Sequence, residues 1–309
     1  MFEMRGDELR RAMADDRERM RIVALETAVL THGLPYPINI QCMRNMCEAV
    51  REAGAIPAPI GIVEGRLIVG LDDSEIERLG AEESGALKLS SRDLAFAMST
   101  KACGGTTVAG TLAVIRLAGG IRVFATGGIG GVHRGWRESL DVSADLNELA
   151  KTRCCVVCSG AKSILDVCAT LEALETRGIP VVGYRTCLFP QFYFEGDSEV
   201  RVPHRVEEVA VVARLCETHW DGLESQTSVV LANSVPAEDG VPQSEIDNAI
   251  DSALRNADEA GVKGAALTPF LLEAVAAETE GRALRANLAL LESNARLAGK
   301  VAVCLRGER

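Results

Sequence analysis

The chain has 309 residues, 47% of them apolar and 25% charged, with a formal net charge of −11 at pH 7. That length and apolar content support one large packed core or two smaller ones. The acidic balance argues against a nucleic-acid footprint, which needs a basic face.

The opening segment, MFEMRGDELRRAMADDRERM, reads as a charged helical extension over residues 1–20 with a weak tie to the core. It lacks the apolar centre of a signal peptide. No apolar run reaches the roughly 18 residues of a membrane span, so the protein is expected to be cytoplasmic. Next comes a helical pattern over Gln41–Glu52, followed by strand-like runs at Pro59–Val63 and Leu67–Leu71. Helices are predicted over Asp93–Ser99 and Thr107–Ala118, then a strand at Ile121–Ala125 and a helix over Ala144–Lys151. The pattern continues with strand Cys154–Cys158, helix Ser163–Thr176, strand Val181–Tyr184, helix Val206–Thr218 and strand Ser228–Ala232. Helices over Ser244–Glu259, Pro269–Glu280 and from about Leu284 to Ala298 close the chain.

This alternation predicts an α/β fold, a mostly parallel sheet covered by helices on both faces. Gly119-Gly120 and Gly178 stand where helices should stop. No linker composition divides residues 21–309, so a single domain is expected. Cys155-Val-Val-Cys158 has metal-binding spacing, but in a strand residues three apart point to opposite faces. The ten cysteines therefore read mainly as free core thiols.

In such folds functional groups gather where strands end and helices begin. Cys103-Gly-Gly-Thr-Thr-Val108 could offer backbone amides and a helix start to an anion, or serve as a plain cap. The turn Thr126-Gly-Gly-Ile-Gly-Gly-Val-His-Arg-Gly135 resembles a dinucleotide fingerprint only in part. The pattern begun at Gly128 needs glycine at 133, where His133 stands. A nicotinamide cofactor is thus excluded, leaving a glycine-rich loop suited to an anionic substrate. In Leu140-Asp-Val-Ser-Ala-Asp-Leu, Asp141 or Ser143 could cap the following helix. Alternatively Asp141 and Asp145, four apart on a helical turn, could face a hard cation such as Mg²⁺ or Mn²⁺.

Lys162 follows Ser159-Gly160-Ala161 and is predicted to begin a long helix. There the positive dipole end and an apolar strand should favour a neutral, nucleophilic amine. A lysine with its head in water is the alternative.

Together these motifs resemble pseudouridine-5′-phosphate glycosidase. The resemblance rests on Ala24-Leu-Glu-Thr-Ala, Thr31-His-Gly-Leu-Pro-Tyr-Pro, Lys88-Leu-Ser-Ser-Arg-Asp-Leu and Gly104-Gly-Thr-Thr-Val-Ala. It continues through Phe124–Gly135, Asp141–Leu146, Ser159–Asp166, Phe189-Pro-Gln-Phe-Tyr and Thr268-Pro-Phe-Leu-Leu. What it implies is reversible conversion of pseudouridine 5′-phosphate and water into uracil and ribose 5-phosphate. A manganese-type divalent ion and a homotrimer are implied as well. By the same resemblance Lys162 is the imine-forming nucleophile and Glu26 the proton donor. Lys88, Val108, Ser143, Ala144 and Asp145 would contact substrate, and Asp141 would ligate metal. His133 and Asn287 fall in stretches lining the phosphate and base ends of the pocket.

The chemistry explains such a set. A C-nucleoside has no glycosidic nitrogen to protonate, so the carboxylate pair of ordinary glycosidases is not enough. An imine at C1′ supplies the electron sink, and an acid moves protons. Departures occur at Ser91, Ala265, Asn233-Ser-Val-Pro, Glu292-Ser293-Asn294 and Gly222–Thr227. Most lie toward the C-terminal helices and bear on the acceptor. A C-ribosylating enzyme acting on an aromatic acceptor is therefore the near alternative. A non-catalytic sugar-phosphate sensor would need neither Glu26 nor Lys162.

Overall fold

The computed structural model describes residues 2–262 and 267–306, side chains at 258, 267–269 and 272 excepted. Strands in chain order are β1 Glu3–Met4, β2 Ile22–Leu25, β3 Ile56–Val63, β4 Arg66–Val69, β5 Leu87–Leu89, β6 Gly104–Thr106 and β7 Val123–Ala125. They continue with β8 Val132–His133, β9 Cys155–Cys158, β10 Leu165–Asp166, β11 Val181–Tyr184, β12 His204–Val206 and β13 Val229–Asn233. The α-helices are α1 Asp7–Ala14, α2 Ile38–Glu52, α3 Asp73–Gly80, α4 Leu94–Ser99, α5 Val108–Ala118 and α6 Trp136–Ser139. After them come α7 Asp145–Leu149, α8 Val167–Thr176, α9 Val209–Glu217, α10 Gln243–Glu259, α11 Leu267–Glu278 and α12 Arg282–Cys304.

The main sheet runs β1-β4-β3-β2-β7-β9-β13-β11-β12, with β6 pairing β3 and β5. Every pairing is parallel except those of β3 with β4 and with β6. In β2, β7 and β9 every residue is buried, so both faces of the sheet are covered. Helix α12 packs against β2, β7 and β9, and against α2. The predicted α/β class therefore holds.

Several predicted elements differ. Strand β2 was not among the predicted strands, yet it lies at the sheet's centre between β3 and β7. Its four residues, Ile-Val-Ala-Leu, follow a charged stretch and give no alternation to read. Helix α3 was also unpredicted; Asp72 and Glu75 close a reciprocal capping box at its start. The first twenty residues are not weakly tied. β1 pairs with β4, and Leu9, Ala12 and Met20 are buried in the core. The sequence departure at Ala265 lies outside the described residues.

The buried cysteines include Cys155 and Cys158, both free. Among the described residues no His, Cys, Asp or Glu cluster could hold a metal unaided. None of the described helices is long and apolar enough to cross a membrane.

Candidate active site

Parallel neighbours bring their carboxyl ends to one rim. The register pairs Leu25 with Ala125, and Ala125 with Val157. One residue past β2 stands Glu26, one past β7 stands Thr126, and β9 runs on through Ser159 to Lys162. Fold topology alone thus gathers residues that are over a hundred positions apart.

Glu26 is buried and accepts a hydrogen bond from the Thr126 hydroxyl. Loss of water raises its carboxyl above the ordinary carboxylate range, with the Lys162 charge and then the Thr126 hydroxyl pulling the other way. Such a carboxyl favours its protonated form, as a general acid requires.

Lys162 does not begin a helix. Helix α8 starts at Val167, where Asp166 caps the Ala169 amide, and a short strand intervenes. The dipole argument for this lysine therefore fails. What fixes Lys162 is local backbone: its amide donates to the Ile129 carbonyl at 3.3 Å, and its carbonyl accepts from Leu165 at 3.0 Å. Just before it, Gly160 holds a left-handed φ of 69°. A side chain there would overlap the Pro190 carbonyl, so glycine is required twice over.

Lys88 projects from β5 and is half-buried, with Lys162, Glu26 and Asp145 as its charged neighbours. Burial lowers its ammonium pKa first, and the Lys162 charge lowers it further. Glu26, Lys88 and Lys162 all border two adjoining cavities.

The outer cavity is polar. Ser90, Arg92, Thr107, Val108, His133, Ser143, Ala144 and Asp145 share its wall. Here Gly104–Thr106 is strand rather than loop, and Gly105 packs directly on the Thr27 carbonyl. The anion at the start of α5 is the chain's own: Asp145 accepts from the Ala109 amide at 2.8 Å and from the Gly130 amide at 2.7 Å. Its carboxylate locks the glycine-rich loop onto α5. Burial lowers the His133 pKa, while Asp141 opposes that.

The inner cavity is walled by Val29, His32, Gly127, Gly128, Phe192, Asn287 and Leu291. Apolar side chains line it and one amide oxygen, Asn287 Oδ1, is buried without a partner. A planar, polar-edged ring suits that mixture.

Asp141 belongs to neither cavity wall. It is not on a helical turn with Asp145, because α7 begins only at Asp145 and Val142 bridges to Val132. Its carboxylate is partly exposed and lies 3.9 Å from His133 Nδ1. With both Asp145 oxygens engaged, Asp141 is the available oxygen ligand in this stretch. One carboxylate plus waters and a phosphate is an accepted coordination mode for Mg²⁺-like ions, so the residues fit an ion held that way.

The fully buried amide of Asn294 and the aromatic wall of Phe192 stand in the sequence only within longer runs, Glu292-Ser293-Asn294 and Phe189-Pro-Gln-Phe-Tyr, with no role of their own. Phe192 has a φ of 62°, unusual for a bulky residue. Its amide donates to the Ser159 carbonyl at 2.9 Å, and its ring packs on Gly127 and Gly128. His32, quoted only within a motif, lines the inner cavity too.

A buried carboxyl beside two lysines at parallel strand ends is the kind of rim on which α/β enzymes place their chemistry. Residues 8–304 match the model of the Indigoidine synthase A like protein family, and the chain belongs to that family. It is 47% identical to a pseudouridine-5′-phosphate glycosidase of Caldanaerobacter subterraneus, covering 93% of this chain and 92% of that one. It is also 47% identical to one of Solibacter usitatus, over 97% and 98%. Among solved structures, the prealnumycin C-glycosynthase AlnA in complex with ribulose 5-phosphate superimposes with a TM-score of 0.88. That protein is 40% identical, over 99% of this chain and 97% of its own. An indigoidine synthase A-like protein of Thermotoga maritima gives 0.86 at 38% identity, over 98% and 96%.

Proposed function

We propose that this chain is a pseudouridine-5′-phosphate glycosidase, converting that C-nucleotide and water into uracil and ribose 5-phosphate. The observation that carries the reading is the shared position of Glu26, Lys88 and Lys162 between a polar and an apolar cavity. The sugar phosphate occupies the polar side and the base the apolar side, with C1′ between them.

In this reading electrons from the base nitrogen expel O4′ from C1′, and O4′ takes a proton from Glu26. The Lys162 amine adds to C1′. Protonation at the base carbon then lets the C1′–C bond break, its electron pair returning to the ring as the nitrogen lone pair forms a C=N bond. Uracil leaves, and water hydrolyses the Lys162 imine to free amine and ribose 5-phosphate. Lys88, whose ammonium pKa is lowered by burial and by the Lys162 charge, orients the sugar beside Lys162. Val108, Ser143, Ala144 and Asp145 line the sugar side, His133 stands at the phosphate end, and Asn287 offers its free oxygen to a base N–H.

Asp141 would hold a divalent ion, Mn²⁺ by family resemblance, which when bound would neutralise phosphate charge. A homotrimer and a cytoplasmic location are also part of this reading. Light scattering near three times 32.9 kDa would support the assembly, and a monomer would overturn it.

Incubation with pseudouridine 5′-phosphate tests the activity. Uracil and ribose 5-phosphate should appear in equal amounts, and no release would refute it. One observation favours C-ribosylation of a larger aromatic acceptor. Past His32, Gly33 and Asn287 the inner cavity opens into a hollow lined by Leu34, Pro35, Tyr193 and Leu284. Ribose 5-phosphate supplied with uracil or with fused-ring phenols separates the two by which acceptor is joined faster.

A further inference from the structure

We propose that Asn294 is a positioning residue that holds the strand ends bearing Glu26's partner and Lys162 in their working arrangement. This rests on the catalytic reading of Glu26 and Lys162. Nothing in that reading calls for an amide on the far side of the rim. Yet Asn294 is fully buried beneath it.

Its Nδ2 donates to the Thr126 carbonyl at 2.9 Å and to the Ser159 hydroxyl at 3.1 Å, with the Gly127 carbonyl at 3.5 Å. Its Oδ1 accepts from Asn233 Nδ2 at 2.9 Å. The amide orientation is fixed by these partners, since a flip would set nitrogen against nitrogen and oxygen against two carbonyls. Thr126 follows β7, Ser159 follows β9, and Asn233 ends β13. One side chain therefore ties together the carboxyl ends of three neighbouring strands.

Two of those ends carry chemistry. Thr126 turns its hydroxyl to Glu26, while its carbonyl is held by Asn294. Ser159 is three residues before Lys162, and the Ser159 carbonyl also receives the Phe192 amide that sets the inner wall. Asn287, Leu291 and Asn294 are spaced i, i+4 and i+7 on one face of α12. The helix thus presents cavity wall in its first turns and the strand-end clamp just beyond.

Truncating Asn294 would leave a buried carbonyl and hydroxyl seeking partners. The strand ends could meet that need only by shifting. Displacement of a reacting group by about 1 Å can cost on the order of 10²-fold in rate.

The test compares Asn294→Ala with Val301→Ala, a fully buried residue two turns further along α12. Both variants lose core contacts, so stability alone does not separate them. Rates are measured per folded molecule, for uracil release and for borohydride trapping of ribose 5-phosphate on Lys162. Asn294→Ala should lose roughly 10- to 100-fold in kcat and in trapping rate, with KM changed by no more than about threefold. Val301→Ala should stay within about twofold of wild type. Equal rates in the two variants would overturn the proposal.

Should Asn294→Ala not fold, Asn233→Ala decides, because it removes the donor on Oδ1 and leaves the Nδ2 bonds. A several-fold slower trapping is then expected, and a wild-type rate contradicts the clamp. A wild-type protein that neither traps nor releases uracil gives a different pattern. It would remove the catalytic reading, and the positioning role with it.

Discussion

The Thr126 hydroxyl donates to Oε1 of Glu26, linking the first residues beyond two adjacent parallel strands. Burial pushes the Glu26 carboxyl toward its neutral form, and this bond is one of the groups restraining that push. After burial and the Lys162 charge, this bond is the next influence on where the carboxyl titrates.

Glu26→Gln keeps the shape and the contact with Thr126 but cannot pass a proton. Turnover should fall by about 10²- to 10⁴-fold, the usual share of general acid catalysis. Ribose 5-phosphate binding, measured by calorimetry, should change little. Turnover within a few-fold of wild type would move the acid elsewhere.

Removing the hydroxyl donor in Thr126→Val should raise the Glu26 pKa further. The high-pH limb of kcat should then move to higher pH, and an unmoved or lowered limb contradicts the assignment.

The same burial has a stability consequence. The folded-state pKa of Glu26 lies above its unfolded value. Stability from the neutral group is therefore complete below the unfolded pKa and is lost as pH rises through the folded one. Glu26→Gln escapes that loss. Urea midpoints should show the variant gaining on wild type as pH rises above the ordinary carboxylate range of about 4. A gap that is constant with pH would show that the carboxyl does not titrate differently on folding.

Asp145 accepts the Ala109 and Gly130 amides and joins the glycine-rich loop to α5. Asp145→Ala leaves both donors without their charged acceptor. Unfolding free energy should fall by about 2–4 kcal/mol in urea titration. A loss under about 0.5 kcal/mol would mean that water replaces the carboxylate freely.

How far these features could be read from sequence depended on how each signal is written. The strands around Cys155–Cys158 and Val181–Tyr184 stood out because buried parallel strands are continuous apolar runs. β2 escaped because it is short and has no turn residues to frame it, although Glu26 depends on its end. Lys162 was singled out for a helix start that lies five residues later, at Val167. Ser163-Ile-Leu-Asp166 fits a helical pattern, but the pairing of β10 with β8 takes Leu165 and Asp166 into a sheet. Tertiary pairing overrode local propensity there. Asn294 is visible in sequence only as part of the departing run Glu292-Ser293-Asn294, and nothing local marks its strand-end contacts. Its partners are up to 168 residues away, and an asparagine in an amphipathic helix reads as surface.

Asp141 is partly exposed, and among the described residues its carboxylate has only the loose 3.9 Å approach to His133 as an ion pair. Asp141→Ala should therefore leave stability within about 0.5 kcal/mol of wild type. Dialysis against a chelator should remove most wild-type activity, and Mn²⁺ should restore it. Asp141→Ala should need far more Mn²⁺ for the same effect. Full activity in metal-free protein would refute the assignment.

Lys162 is the residue on which the account depends. Ribose 5-phosphate in its open aldehyde form should condense with that amine, and borohydride should reduce the imine to a stable secondary amine. Mass spectrometry of the digested protein should find the added sugar phosphate on the peptide containing Lys162, with none in Lys162→Ala. Label on Lys88, which shares both cavities, would reassign the nucleophile. Turnover by an enzyme that never traps sugar on any lysine would contradict the imine mechanism.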